Sequence, residues 1–267
     1  MRRSGRIRVA GIVALVALAA LIGSEAAWTG RLRSAWFDAF QLVAPRIPHS
    51  LPVTIVEIDQ KSLAKIGQWP WPRDVVAELV DAINRYRPAA VALDILMPEP
   101  DAMSPERVLA RAGRGDAELA RALTGRPSND AVLARSLAAA GAILAVAGMP
   151  EPTGMPLRAP PFSVRDVSGS APPTSPVAPS LARHAGVLTS IETLDAAASG
   201  HGLISVDAAD AVIRRVPLAA SINGTLVPAL AIEMLRVALG APAVRLDVSG
   251  ASVQGITIGN VAIPTER

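Results

Sequence analysis

The sequence predicts a mixed α/β chain: an N-terminal transmembrane helix, then a βαβαβ parallel sheet with an antiparallel C-terminal extension. Three observations carry that expectation. The first eight residues hold Arg2, Arg3, Arg6 and Arg8, and an uncharged run follows from Val9 to Gly23. Apolar, β-branched runs then alternate with helical-period segments, the pattern of a parallel sheet with crossover helices. Beyond residue 200 the strands shorten and meet at Asn223-Gly224 and Gly259-Asn260, the dipeptides of tight hairpins.

The N-terminal run fixes topology. Fifteen residues of helix span about 22 Å against a hydrocarbon core of about 30 Å, and snorkelling of Arg6 and Arg8 lengthens the span. Two readings stand: an uncleaved signal anchor over residues 1–27, and a signal peptide cleaved near Ser24-Glu25-Ala26. Both place the N-terminus in the cytoplasm and everything after about residue 25 outside, by the positive-inside rule. Residues 28–50 come next, with Trp28, Leu32, Ala35, Trp36, Ala39, Phe40 and Val43 at helical spacing. They predict a juxtamembrane helix stopped by Pro45 and Pro48. Trp28 and Trp36 stand where an outer-interface anchor belongs.

The main domain is expected over residues 51–267. Val53–Ile58 has the β-branched content of a strand, and Asp59 caps a short helix that ends at Ile66 before Gly67. In Trp69-Pro70-Trp71-Pro72-Arg73 the prolines hold the chain extended, and Pro72 opens a helix over about 73–86 with apolar Val75, Val76, Leu79, Val80 and Ile83. Pro88 ends it. Ala89–Ile95 reads as a buried parallel strand. Residues 96–127 predict a loop with a short helix near 105–111 or 116–123. Ser128 caps a helix to about Ala140, Gly141 stops it, and Ala142–Ala147 is the third strand. Nine prolines between Pro150 and Pro179 predict an extended loop over 148–180. Gly202–Val206, Ile213–Ile222 and Leu226–Val227 follow as strands, then a helix from Pro228 to Leu239, and strands at 244–248, 252–258 and 261–264.

Composition closes several functions. The 267 residues are 51% hydrophobic but only 3% aromatic, so aliphatic side chains build the core. Net charge is +3, and beyond the first ten residues basic and acidic residues interleave, which leaves no nucleic-acid footprint. There is no cysteine, hence no disulfide, thiolate zinc site or thiol nucleophile. His49, His184 and His201 share no metal-ligand spacing, and no nucleophile elbow, HExxH, P-loop or dinucleotide fingerprint occurs. No catalytic residue, metal or cofactor is expected.

The candidate ligand-binding residues are therefore few. Asp94, Glu99 and Asp101 lie just past a predicted parallel strand, and Asp59 follows the neighbouring one, where α/β sheets bind ligands. Their plainer roles are helix caps and loop hydrogen bonds. Trp69, Trp71 and Arg73 offer a stacking platform, or else a structural latch with tryptophans on the core and Arg73 on a carboxylate. Arg214 and Arg215 are adjacent on a predicted strand and point to opposite faces.

Taken in order, these segments resemble the type-2 CHASE domain, the second family of sensory extracellular domains associated with cyclases and histidine kinases. The resemblance rests on Val53–Asp59, Ser62-Leu63, the segment Gly67–Arg73, Ala89–Asp94 with Glu99-Pro100-Asp101, Asn129-Asp130 with Leu133 and Ala134, Gly202–Val206, Arg214–Leu218 and Pro228–Ala231. It covers roughly residues 35–267, and Trp-Pro-Trp-Pro-Arg is its most specific motif. The sequence departs from the family pattern at Ala92, where glycine is usual, near Met97 and Pro98, where phenylalanine is usual, and at Asp210-Ala211 in place of Asp-Gly. The resemblance implies a bacterial receptor whose periplasmic or extracellular sensor follows one inner-membrane helix and precedes a cytoplasmic cyclase or kinase. It implies a homodimer that takes an unknown small-molecule ligand. On this reading the chain is a truncated receptor, incomplete at its C-terminus. The alternatives are a periplasmic metal-dependent enzyme using Asp59 and Asp94, and a structural dimerisation domain.

Overall fold

The computed structural model describes residues 12–13, 15, 27–45, 47, 52–112, 117–158, 161–168, 181–206, 212–249 and 252–265. The chain divides into two compact units, Met1–Ser62 and Leu63–Arg267. In the first, helix α1 spans Ala27–Val43, as the apolar spacing predicted, and Ala44 N–H closes its last turn on Phe40 C=O at 2.8 Å, ahead of Pro45. The run Val9–Gly23 lies almost wholly outside the described residues, of which Ile12, Val13 and Leu15 are helical. Among the described residues no helix is long and apolar enough to cross a membrane.

One predicted strand is corrected here. Residues 52–59 form no strand, and Val53, Ile55 and Val56 are exposed. Strand propensity measures how side chains fit a pleated, half-buried surface; without a paired neighbour, β-branched content alone makes no ladder. Helix α2 follows at Gln60–Ile66, where Asp59 Oδ1 accepts hydrogen bonds from Ser62 N–H and Ser62 Oγ–H, both at 2.8 Å.

In the second unit, helix α3 (Arg73–Asn84) buries Val76, Ala77 and Val80. Strand β1 is short, Ala92–Leu93, where a run over 89–95 was expected. The loop beyond it carries two helices, α4 (Pro105–Ala112) and α5 (Ala117–Leu123). Helix α6 (Asn129–Ala140) begins and ends as its sequence dictates. Ser128 Oγ accepts from Ala131 N–H at 3.1 Å, and Gly141 adopts a left-handed cap with φ 59°. Strand β2 (Ile143–Met149) runs parallel to β1, with Ala92 opposite Ile143, and parallel to β6 (Gly200–Leu203), with Ile143 opposite Gly200.

The segment between β2 and β6 holds more order than its prolines suggested. Strand β3 (Phe162–Asp166), strands β4 (Ala182–His184) and β5 (Gly186–Leu188), and helix α7 (Glu192–Ala197) all lie in it. β5 pairs antiparallel with β2, so the first sheet runs β1-β2-β5 with β6 also on β2. The expected βαβαβ is thus reduced to a parallel trio, β1, β2 and β6, in which β6 pairs with β2 and Val53–Ile58 takes no part.

The antiparallel extension is present. Strands β7 (Ala219–Ile222) and β8 (Thr225–Pro228) meet at Asn223 and Gly224, with φ 47° and 82°, and β4 pairs parallel with β7. The expected strand from 213 is shorter, because residues 213–217 are irregular. Helix α8 starts at Leu230, two residues after the expected Pro228, which ends β8 instead, and runs to Ala238. Strands β9 (Val244–Ser249), β10 (Ser252–Ile258) and β11 (Val261–Pro264) form an antiparallel meander, and β3 adds to β9 in parallel. Its core is Val244, Leu246, Val248, Ile256 and Ile258, with Ile232 of α8.

The layers follow from one strand. Gly200 and Gly202 of β6 face α8, where a Cβ would stand 2.1 Å from Glu233 Oε1 and 2.3 Å from Leu230 Cα. His201 alternates to the other face and meets Asp195 of α7. Helix α8 therefore covers one face of the parallel trio. The other face carries α7, against which α6 and, beyond it, α3 pack.

Candidate functional site

Two helix N-termini converge on one loop. Helix α3 has no side-chain cap of its own, because Pro72 precedes it. Asp101 supplies the missing acceptor: its Oδ2 takes Arg73 N–H at 2.8 Å. The same oxygen takes the Asn129 side-chain amide at 2.8 Å, and Oδ1 takes Met103 N–H at 2.9 Å. Three residues on, Ser104 Oγ accepts Asn129 N–H, the first of α6, at 3.1 Å. Asp101 N–H in turn donates to Asp130 Oδ2 at 3.0 Å. One loop thus caps α3 with Asp101 and α6 with Ser104, satisfying donors that helices leave orphaned.

The electrostatics differ between the two carboxylates. Burial pushes the Asp101 carboxyl up, but hydrogen bonds from Arg73, Met103 and Asn129 and the Arg73 charge outweigh it, so its pKa falls below the ordinary value. At Asp130, burial prevails over the Asp101 N–H and the Arg73 charge, with Asp101 and Glu106 adding repulsion, and the pKa rises. Arg73 Nε sits 3.8 Å from Asp130 Oδ1, and both atoms are buried without a hydrogen-bond partner. The guanidinium is held by charge rather than by a directed bond at that distance.

The tryptophans complete the latch. Trp71 is buried and donates its indole N–H to Gly67 C=O at 2.7 Å. Half-buried Trp69 meets it edge-on, with ring centroids 5.8 Å apart at 64°. Of the residues proposed from the sequence, the structure brings Trp69, Trp71, Arg73 and Asp101 into one neighbourhood. Asp94 and Glu99 are exposed and outside it; Arg214 is half-buried and Arg215 exposed, on irregular chain. Asp59 spends its carboxylate on Ser62, which holds its pKa below the ordinary value. Ser104, Asn129 and Asp130 are not among the ligand-binding candidates the sequence offers, although Asn129-Asp130 belongs to the family-like segments. A Ser-Asn-Asp helix start whose own cap is Ser128 leaves two polar side chains over, and that surplus is the available signal.

Two further buried polar groups stand apart. Glu233 is fully buried and bound by Arg236 through Nε to Oε2 at 2.9 Å and Nη2 to Oε1 at 2.7 Å, while Arg236 Nη1 donates to Ala241 C=O at 2.9 Å. His201 Nε2 lies 2.7 Å from Asp195 Oδ1, within contact but not aligned as a hydrogen bond, and neither atom has another partner. Among the described residues no group of three or more histidines or acids is gathered to hold a metal.

These sites share one character: charge is used to join segments of a mixed α/β domain. The class is that of a mixed α/β domain, and the family follows from the whole chain. The chain belongs to the CHASE2 domain family, extracellular sensory domains of signalling receptors, whose model matches residues 12–267. No curated protein and no solved structure matches it.

Proposed function

We propose that this chain is the extracytoplasmic sensing portion of a bacterial receptor, held in the inner membrane by a helix formed from the run Val9–Gly23. The single observation that carries the reading is membership of the CHASE2 family over residues 12–267. The four arginines ahead of that run support the anchor and its orientation. The sensor works as a homodimer and responds to a small molecule by repacking its juxtamembrane helix, which biases a cytoplasmic cyclase or kinase. Trp69, Trp71, Arg73 and Asp101 are the residues through which it is tuned, since they link the starts of α3 and α6.

A reporter active only outside the cytoplasm, fused after Arg267, tests the topology. Activity in intact cells is expected; activity only from the cytoplasmic side removes the receptor reading. In a full-length receptor carrying its output module, Trp71→Ala and Arg73→Ala are expected to alter output. Unchanged folding and output in both removes the latch from the signalling path.

A further inference from the structure

Helix α1 carries an apolar stripe that is exposed among the described residues. Leu32, Trp36, Phe40 and Val43 are 55%, 62%, 63% and 84% exposed and fall along one side of the helix. Trp36 and Phe40 rest against each other with centroids 6.2 Å apart, so the stripe presents two aromatic rings side by side. A patch of that kind marks a binding surface. The composition of the chain says which kind. It holds eight aromatic residues in all, four tryptophans, three phenylalanines and one tyrosine, and four of them (Trp28, Trp36, Phe37 and Phe40) fall within the seventeen residues of α1; Trp36 and Phe40 stand on the stripe, while Phe37, 42% exposed, stands toward Gln41.

Such concentration is not what a helix–helix seam requires, since seams are built from aliphatic residues at alternate spacings of three and four. It is what the boundary between hydrocarbon and water selects, because indole and phenyl rings settle among headgroups. The rest of α1 agrees. Arg31, Arg33, Asp38 and Gln41 make it too polar to cross a bilayer, while Ser34 and Gln41 stand on the side away from the stripe. Arg33 is exposed at the edge of the stripe, where a guanidinium reaches lipid phosphate. Immediately upstream in sequence lies the arginine-led apolar run that the receptor reading takes as its anchor.

We infer that α1 is an interfacial helix, lying along the outer surface of the bilayer with Leu32, Trp36, Phe40 and Val43 sunk among the headgroups. The expected depth is about 5–10 Å into the headgroup–acyl boundary. The partner is the lipid surface itself. The inference rests on the receptor reading for its side of the membrane, but the two fail separately.

The absence of cysteine makes the test clean, because any introduced thiol is the only one. The full 267-residue chain is reconstituted in phosphatidylcholine–phosphatidylglycerol vesicles, and single variants are labelled with an environment-sensitive fluorophore. Leu32→Cys, Trp36→Cys, Phe40→Cys and Val43→Cys report the stripe, Ser34→Cys and Gln41→Cys the opposite side, and Leu15→Cys the anchor. The expected result is blue-shifted emission, lost to quenching by acyl-brominated lipid, at the four stripe positions, and water-like unquenched emission at 34 and 41. Equal responses around the helix overturn the inference. So do stripe labels that shift without lipid quenching while Trp36→Cys forms a disulfide with a second copy, which assigns the face to dimerisation. Deep quenching at 15 with none at the stripe keeps the anchor and sinks the interfacial helix. Quenching at the stripe with none at 15 keeps the helix as a surface anchor and sinks the spanning one.

Discussion

Asp101 holds three donors at once, and that makes it the residue whose loss is easiest to forecast. Asp101→Ala leaves Arg73 N–H, Met103 N–H and the Asn129 amide without their acceptor, and is expected to cost about 3 kcal/mol in urea unfolding. Its pKa is depressed in the fold, so its contribution is complete above the unfolded carboxyl value and is lost as pH falls through the folded one. Asp101→Asn should flatten that acid limb. Asp130 has the opposite sign. Its pKa is raised, so its charge weighs against the fold at neutral pH and the penalty lifts as pH falls through the raised value. The stability of Asp130→Asn relative to the parent chain, followed by denaturant midpoint, is therefore expected to shift as pH falls through that value; a constant difference refutes it. Arg236→Ala strands the fully buried Glu233 carboxylate and is expected to cost about 3–5 kcal/mol, read as a lowered midpoint in the same titration. At this scale the sequence showed types but not partners. Asp101 and Arg73 were both visible as candidates, yet their pairing spans twenty-eight positions, and only the packing of α3 against α6 brings them together.

Elements were legible where local chemistry decides them. Asn223-Gly224 announces its turn because both residues take positive φ, and Ser128 and Gly141 announce the ends of α6. Gly224→Ala is expected to cost about 1–2 kcal/mol by thermal melt, the penalty of a left-handed non-glycine residue. Val53–Ile58 misled for the converse reason. A strand exists only with its neighbour, and five β-branched residues among six do not choose one. Phe162–Asp166 failed in the other direction. Prolines on both sides hid five residues whose alternation of half-buried and exposed positions matches an edge beside β9. Asp247 then ties that edge inward, accepting from Arg165 Nε at 2.8 Å and from Thr257 Oγ at 2.7 Å.

For the molecule as a whole, family membership was legible from ordered short motifs, whereas the layout of three sheets was not. Their arrangement depends on long crossings that no local period encodes, such as β3 reaching β9 and β4 reaching β7. The alternative of a metal-dependent enzyme makes its own forecast: millimolar Mg²⁺, Ca²⁺ or Zn²⁺ should raise the melting temperature, and Asp94→Asn should abolish the rise. With Asp94 exposed and Asp59 spent on Ser62, no rise is expected. The contact between β6 and α8 has a mechanical consequence. At Gly202 bare strand meets the backbone of Leu230, so at that point of the joint no strand side chain can slide or change rotamer. Gly202→Ala would force the two surfaces apart and is expected to cost about 1–3 kcal/mol. In the intact chain, a push on α8 arrives at the parallel strands undamped, and through the Leu203–Ala229 bridge at the end of the β7–β8 hairpin as well. The domain transmits displacement there as a rigid strut does, so its compliance must lie elsewhere.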